Sequence, residues 1–231
     1  MDVLKNDNLF SDYSKSIAGE YIKEYEYPYM VLKNIGDIIK KIGETLSLDE
    51  YDHPKDSVWI AKDANVFSSA YLGENIIICS KAEVRHCAFI RSNAIIGCGS
   101  VVGNSTELKN VIIFDSVQVP HYNYVGDSIL GYKSHMGAGS ITSNVKSDKT
   151  LVTISCNGEK VETGLKKMGA ILGDFVEVGC NSVLNPGTVI GRCSNIYPLS
   201  MVRGYVPENS IYKNKNEVVF KKICKMFVNT F

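Results

Sequence analysis

From Ile60 onward the chain places an apolar residue at every sixth position: Ile60, Val66, Leu72, Ile78, Val84, Ile90, Ile96, Val102, Leu108 and Phe114. Four residues after the successive steps a second series follows, mostly of small side chains: Ala64, Ala70, Ile76, Ala82, Ala88, Ala94, Ser100 and Thr106. The period returns later as Leu172, Val178, Leu184, Ile190, Ile196 and Val202. Six is neither the period of an amphipathic helix nor that of a half-buried strand. It suits a chain that turns a corner every six residues, so that three segments close a triangular coil of 18 residues and coils stack into a prism. The apolar residue points inward, where coils above and below bury it. The small residue lets the chain pass closely at the corner, and Gly73, Asn93, Gly97, Gly103 and Gly191 suit corners that need a positive φ. The competing arrangement is a β-sandwich of short strands, which has no reason to hold phase over so many steps.

Composition narrows the function. Lys plus Arg and Asp plus Glu are both 25 in a chain of 231 residues. Such a balance gives no general attraction to nucleic acid or to an anionic membrane surface, so any phosphate recognition must be local. No stretch of 18 apolar residues suggests a membrane span, and the opening MDVLKNDNLF lacks the form of a signal peptide. Seven cysteines without a C-x-x-C pair read as reduced thiols in a cytoplasmic protein, and metal-ligand spacing is missing, so no metal is expected.

The pattern divides the chain into a helical segment and linker over 1–57, a β-helix over 58–207 and a C-terminal helix over 208–231. Over 28–46, Leu32, Ile35, Ile38, Ile39 and Ile42 form an apolar stripe behind Pro28, which predicts a helix. Val219, Phe220, Ile223, Met226 and Phe227 predict another over 216–229. Residues 150–167 interrupt the hexads with two β-prone runs around Asn157-Gly158, the signature of a projecting hairpin.

The rhythm loses step around VPHYNYVGDSILG, residues 119–131. Taking Pro120 as the inward residue after Phe114, the next inward positions are Val125, Leu130 and Met136, so two segments are each one residue short. The break collects His121, Tyr122, Tyr124 and Asp127, with His135, Gly137, Ala138, Gly139 and Asn144 following. Polar and aromatic groups gathered at one irregular place in a regular rod suggest a site. Arg91 and Lys109 are 18 residues apart, one coil, which predicts two stacked cations with room for an anion such as phosphate between them.

At these residues, in H-x-x-Y-x-G-D over 121–127, MGAGSITSN from Met136 and AIIGCGSVVGN before them, the chain resembles a family of hexapeptide-repeat transferases. The resemblance is to the acetyltransferase half of the bifunctional N-acetylglucosamine-1-phosphate uridyltransferase/glucosamine-1-phosphate acetyltransferase enzymes, and it runs from about Arg91 to about Pro207. It implies a left-handed parallel β-helix, commonly trimeric, with acetyl-CoA as acyl donor and an amino sugar phosphate or nucleotide sugar as partner. It also implies His121 as general base and Glu107 as its orienting carboxylate. Arg91, Lys109, Tyr124 and Lys149 would hold the sugar phosphate, with His135 beside them and Asn144 reaching a neighbouring subunit's site. Ala138 and Cys180 would lie along the coenzyme. His135 stands where asparagine is usual, Cys180 where serine is usual, and Pro198 where a small residue is usual. Nothing before residue 60 offers the glycine-rich nucleotide loop of the uridyltransferase half.

The expected chemistry is direct N-acetyl transfer without metal, with a backbone N–H near residues 137–139 facing the oxyanion. A non-catalytic protein that binds sugar phosphates or nucleotide sugars is the alternative, favoured by the changed coenzyme positions. A metal enzyme built on His86, His121 and His135 is a third reading, which their spacing does not support.

Overall fold

The computed structural model describes residues 1–214 and 217–221. The hexads fold into a parallel β-solenoid whose three sides are ladders of short strands. One side carries the inward row Ile60, Ile78, Ile96, Ile113, Leu130, Leu172 and Ile190. The next carries Val66, Val84, Val102 and Val119, then Met136, Val178, Ile196 and Tyr212. The third carries Leu72, Ile90, Leu108 and Val125, then Thr142, Leu184 and Val202. Each corner is a column of residues at positive φ. One column reads Ser57, Asn75, Asn93, Asn110 and Asp127, another Cys87, Ser105, Tyr122, Gly139, Asn181 and Leu199. Asparagine and aspartate dominate the first column because a short polar side chain tolerates the left-handed conformation and bonds locally.

The inward phase differs from the sequence expectation at one point. Ile113, not Phe114, pairs with Ile96, and Val119, not Pro120, pairs with Val102. The two shortened segments run from Leu108 to Ile113 and from Val125 to Leu130, so both omit their residue at the same corner column. Phe114 is fully buried outside the prism, its ring stacked on Phe10 with centroids 4.8 Å apart.

On one side the outward row is apolar as well: Ile77, Ile95, Ile112, Ile129, Ile171 and Val189 are at most 1% exposed. A plain prism would present this row to water. The leader covers it. A 3-10 turn, Pro28–Lys33, leads into an α-helix, Ile35–Gly43, whose residues Ile35, Ile38, Ile39 and Ile42 are buried, as is Leu32 before it. The helix packs on the strands Tyr71–Ile78, Phe89–Ile96 and Glu107–Ile113. Burial of each such isoleucine contributes about 1.5–3 kcal/mol, which makes the leader part of the core. The expected single helix over 28–46 is thus two turns of different kind, broken at Asn34, with the stripe as anticipated. Further up, Asp174 accepts from the backbone N–H and hydroxyl of Ser11 at 2.6 and 2.7 Å, pinning residues 1–27 along the same side.

The hairpin forms as expected, Thr153–Cys156 antiparallel to Glu159–Glu162 through Asn157 and Gly158 at φ 51° and 85°. The C-terminal expectation is corrected. Ser210–Asn214 continues the parallel ladder, and Glu217–Phe220 returns antiparallel to it. The β-branched pair Val218-Val219 suits that strand. The remainder of the helix expected over 216–229 lies outside the described residues.

Candidate functional site

In the coil of His121 two corners matter, the Tyr122 corner and the Asp127 corner. The strand Gln118–His121 ends at the first. His121 is exposed, and its imidazole has no hydrogen-bond partner among the described residues. Its backbone is held from two directions: the His121 N–H donates to Asn123 Oδ1 at 3.1 Å, and its carbonyl accepts from the Gly139 N–H at 3.0 Å. Asn123 is 2% exposed and also donates through Nδ2 to the carbonyls of Gly137 and Ser140 at 2.9 and 3.0 Å. One buried carboxamide therefore ties the histidine to the turn of the next coil. Sequence reading missed Asn123. With Pro120 taken as inward it fell out of the small-residue column; with Val119 inward it sits four residues on, in line with Ala88 and Thr106.

Ala138 stands one coil beyond His121, with Cys180 and Pro198 in the same column through the pairing of Met136, Val178 and Ile196. Cys180 and Pro198 are exposed and Ala138 is half-buried. The N–H of Gly137 is given to Val178 and that of Gly139 to His121, and among the described residues the Ala138 N–H has no acceptor.

The wall between the corners is the outward face of the strand Tyr124–Leu130 at Tyr124 and Gly126, with Val125 between them pointing inward. Tyr124 is half-buried, and a side chain on Gly126 would occupy the space of its ring and hydroxyl. This is why the motif needs glycine there. The Tyr124 hydroxyl accepts from Asn144 Nδ2 at 3.2 Å. Burial, then the nearby carboxylates of Asp127 and Glu107, push its phenol above the ordinary value. Glu107 is Tyr124's neighbour in register and forms an ion pair with Arg91 at 2.9 Å. The hydrogen bond that Arg91 donates to Glu107 holds its guanidinium above its usual range.

At the Asp127 corner a ladder of amides runs down the prism. Asn75 donates to Asn93 at 2.9 Å, Asn93 to Asn110 at 3.4 Å and Asn110 to Asp127 at 3.0 Å. Asn144 donates to Asp127 from the far side, and Lys109 Nζ lies 3.2 and 3.3 Å from its two oxygens. Asp127, 4% exposed, is thus saturated. Asn110 also donates to the Leu32 carbonyl at 3.0 Å, fastening the leader to the ladder.

The arrangement differs from expectation at Arg91, Lys109, Glu107 and His135. Arg91 and Lys109 do not stack: the coil of Lys109 is a residue short, so Lys109 stands in register with Ser92 and each cation has its own carboxylate. Glu107 accepts from Arg91 and, among the described residues, makes no hydrogen bond to the His121 ring. Asn144 bonds Tyr124 and Asp127 of its own chain. His135 pairs in register with Gln118 and contacts Glu177 at 2.8 Å, away from His121. Lys149 is an exposed residue of the loop that leads into the hairpin. The geometry thus assembles Arg91, Glu107, Tyr124, Asn144, Asp127 and Lys109 along one wall, with His121 and Ala138 at its edge. Among the described residues no cluster of three His, Cys, Asp or Glu side chains is placed to hold a metal, and no helix is long and apolar enough to cross a membrane.

A family model described as the GMPPB C-terminal domain matches residues 72–191, just over half of the chain. Over 135 residues the chain is 37% identical to the bifunctional protein GlmU of Methanococcus vannielii, covering 58% of this chain and 32% of that protein. It is 30% identical over 159 residues to the bifunctional sugar-1-phosphate nucleotidylyltransferase/acetyltransferase of Sulfurisphaera tokodaii, covering 69% and 40%. The chain spans less than half the length of these relatives. Among solved structures it is similar to PerB from Caulobacter crescentus, crystallised with CoA and GDP-perosamine, at TM-score 0.34 and 17% identity over 71% of this chain and 57% of that one.

Proposed function

The chain belongs to the family of the GMPPB C-terminal domain, and from that premise we propose that it is an acetyl-CoA-dependent N-acetyltransferase acting on an amino sugar phosphate or a nucleotide-linked amino sugar. The observation that carries the reading is the Tyr122 corner. There a solvent-exposed imidazole on a backbone held by Asn123 and Gly139 stands one coil from a backbone N–H with no acceptor among the described residues. The acetyltransferase named in the Sulfurisphaera tokodaii relative supports the same chemistry.

In the proposed reaction the sugar amine attacks the thioester carbonyl, a C–N bond forms, the C–S bond breaks and the thiolate leaves. His121 takes the amine proton. The Ala138 N–H faces the carbonyl oxygen as it becomes negative. Tyr124 and Arg91 line the wall on which the sugar lies, with Asn144 and Lys109 behind them, and Ala138 and Cys180 form the edge along which the acyl donor lies. Glu107 acts on this wall as the partner of Arg91. The protein is proposed to work in the cytoplasm as a homotrimer. Tyr122, Leu199 and Met201, 66%, 79% and 65% exposed, put apolar surface along one edge for a neighbouring copy to cover; light scattering that finds only monomer would refute the assembly.

A specific observation favours the non-catalytic alternative. Pro198, directly beyond Cys180 in the coenzyme column, has no backbone N–H to offer a donor molecule. Incubation of the protein with acetyl-CoA and a panel of amino sugar phosphates and nucleotide-linked amino sugars, followed by mass spectrometry of the sugars, separates the two. Acetylation of one panel member supports the enzyme; binding without acetylation of any supports the alternative.

A further inference from the structure

The wall at Tyr124 continues toward the earlier coils. Its outward column reads Tyr124, Glu107, Phe89 and Tyr71 in register, and each of these residues opens its strand. Successive members lie about 4.8 Å apart, the spacing of neighbouring strands. Leu72 and Ile90 belong to the inward row, so the alternation of the strand turns Tyr71 and Phe89 outward. They are 57% and 41% exposed, and their rings converge, with centroids 5.3 Å apart and an interplanar angle of 58°. Two aromatic rings set at an angle on an open side form a seat for a third planar ring. The same strands leave it uncovered. Gly73, the outward residue after Tyr71, adds no side chain, because a Cβ there would lie 1.7 Å from the Arg91 carbonyl oxygen. Arg91, the outward residue after Phe89, reaches to Glu107 in the next coil. That pair is partly exposed, and the guanidinium has further N–H donors to offer an anion. At the far end Lys55 donates to the Leu72 carbonyl with its ammonium 5.9 Å from the Tyr71 ring centre, and bounds the seat there.

We infer that Tyr71 and Phe89 form an aromatic subsite that takes the nucleobase of a nucleoside-diphosphate-linked amino sugar. This rests on the transferase reading above and decides between its two acceptor classes. Order along the prism makes the choice. From His121 and Tyr124 the wall passes first the Arg91 guanidinium and then the ring pair, which is the order sugar, phosphate, base. An oligosaccharide would bring no anion to the cation that stands between the aromatic groups. The span agrees. Phe89 lies two coils before Tyr124, and His121 lies three residues from Tyr124 around the corner, so the backbones of His121 and Phe89 are roughly 14 Å apart at β spacings. A pyranose, a diphosphate and a ribose in series each cover about one coil rise, so a base linked through them arrives at Phe89 when the amine is at His121. Glucosamine 1-phosphate ends at Arg91. The adenine of the acyl donor is the other source of a stacking base, but the column of Ala138, Cys180 and Pro198 leads toward later coils, on the other side of His121 from Phe89.

The test is calorimetry without any acyl donor, on the wild type and on Tyr71→Ala, Phe89→Ala and Phe89→Tyr. The ligands are glucosamine linked to uridine diphosphate or to guanosine diphosphate, glucosamine 1-phosphate and coenzyme A; two bases are used because stacking on an aromatic ring tolerates either. The inference expects at least one nucleotide-linked sugar to bind the wild type about tenfold or more tightly than glucosamine 1-phosphate. Each alanine variant should lose about tenfold for that nucleotide-linked sugar, the scale of one base–aromatic stack, and Phe89→Tyr should stay within about threefold of the wild type. Affinity for glucosamine 1-phosphate and coenzyme A should change less than about threefold in every variant. Both rings are exposed, so melting temperature and the mass from light scattering should match the wild type. Equal losses for glucosamine 1-phosphate, a loss for coenzyme A alone, or no loss for any ligand each overturn the subsite. A change of mass in the alanine variants overturns it as well, and assigns the ring pair to a contact between copies of the chain. Because no acetyl transfer is involved, selective binding of the nucleotide-linked sugar would stand even if the protein proved non-catalytic. Conversely, acetyl transfer with unchanged binding in both alanine variants would defeat the subsite alone.

Discussion

The Tyr122 and Asp127 corners belong to the same coil and turn the chain through nearly the same backbone conformation, φ 51° and 48°. Their side chains have opposite fates. Asp127 is buried beneath donors from Lys109, Asn110 and Asn144, in a ladder that also grips the leader. His121 is exposed, its ring without a partner among the described residues, although the backbone beneath it is fixed by Asn123 and Gly139. A saturated polar group holds structure and has no capacity left for a substrate. An exposed imidazole on a held backbone has donor and acceptor capacity to offer a ligand. In one coil the fold thus sets a side chain that holds the structure beside one left open to solvent, where the proposed chemistry takes place.

The comparison can be broken from the structural side first, in order of expected loss of stability. Asp127→Ala strands three donors and uncouples the ladder from Lys109, so it should cost about 3 kcal/mol in chemical denaturation. A loss below about 1 kcal/mol would mean that the corner is not structural. Asn123→Ala removes the bonds to His121, Gly137 and Ser140; the Gly137 carbonyl keeps the N–H and hydroxyl of Ser140 as donors, so the expected loss is about 1–2 kcal/mol. A wild-type unfolding curve would show that the histidine is held by the coil stacking alone. Glu107→Gln breaks only the Arg91 pair, whose side chains are 47% and 33% exposed, and should change stability by less than about 1 kcal/mol. A larger loss would place Glu107 among the structural groups with Asp127.

How much of this was legible in the sequence follows from the physics of each part. The six-residue apolar period, the hairpin turn at Asn157-Gly158 and the stripe from Leu32 to Ile42 are local patterns, and the structure contains all three. The runs at 76–78, 94–96 and 111–113 carried a further message, that this side of the prism is apolar on both faces and needs a cover. A stripe and a doubly apolar side in one chain belong together, but the period alone does not say that the helix lies along the rod. The phase error at the break had a definite source. Phe114 and Ile113 are both apolar, so the omitted residue could be placed on either side of them, and only strand register puts it at the Asp127 column. That shift removes the stacked cations, sends Lys109 to Asp127 and brings Asn123 into view. The partners of Glu107 and His135 depend on which way long side chains turn, which spacing does not encode.

The division between the two corners is tested most directly by one protein, His121→Ala, measured for turnover of acetyl transfer and, in the same preparation, for affinity toward the accepted amino sugar. Loss of a general base should lower turnover by about 10²- to 10⁴-fold. Affinity and unfolding curve should stay at wild-type values, because the wall and the ladder are untouched. Wild-type turnover in His121→Ala would contradict the assignment of chemistry to the Tyr122 corner.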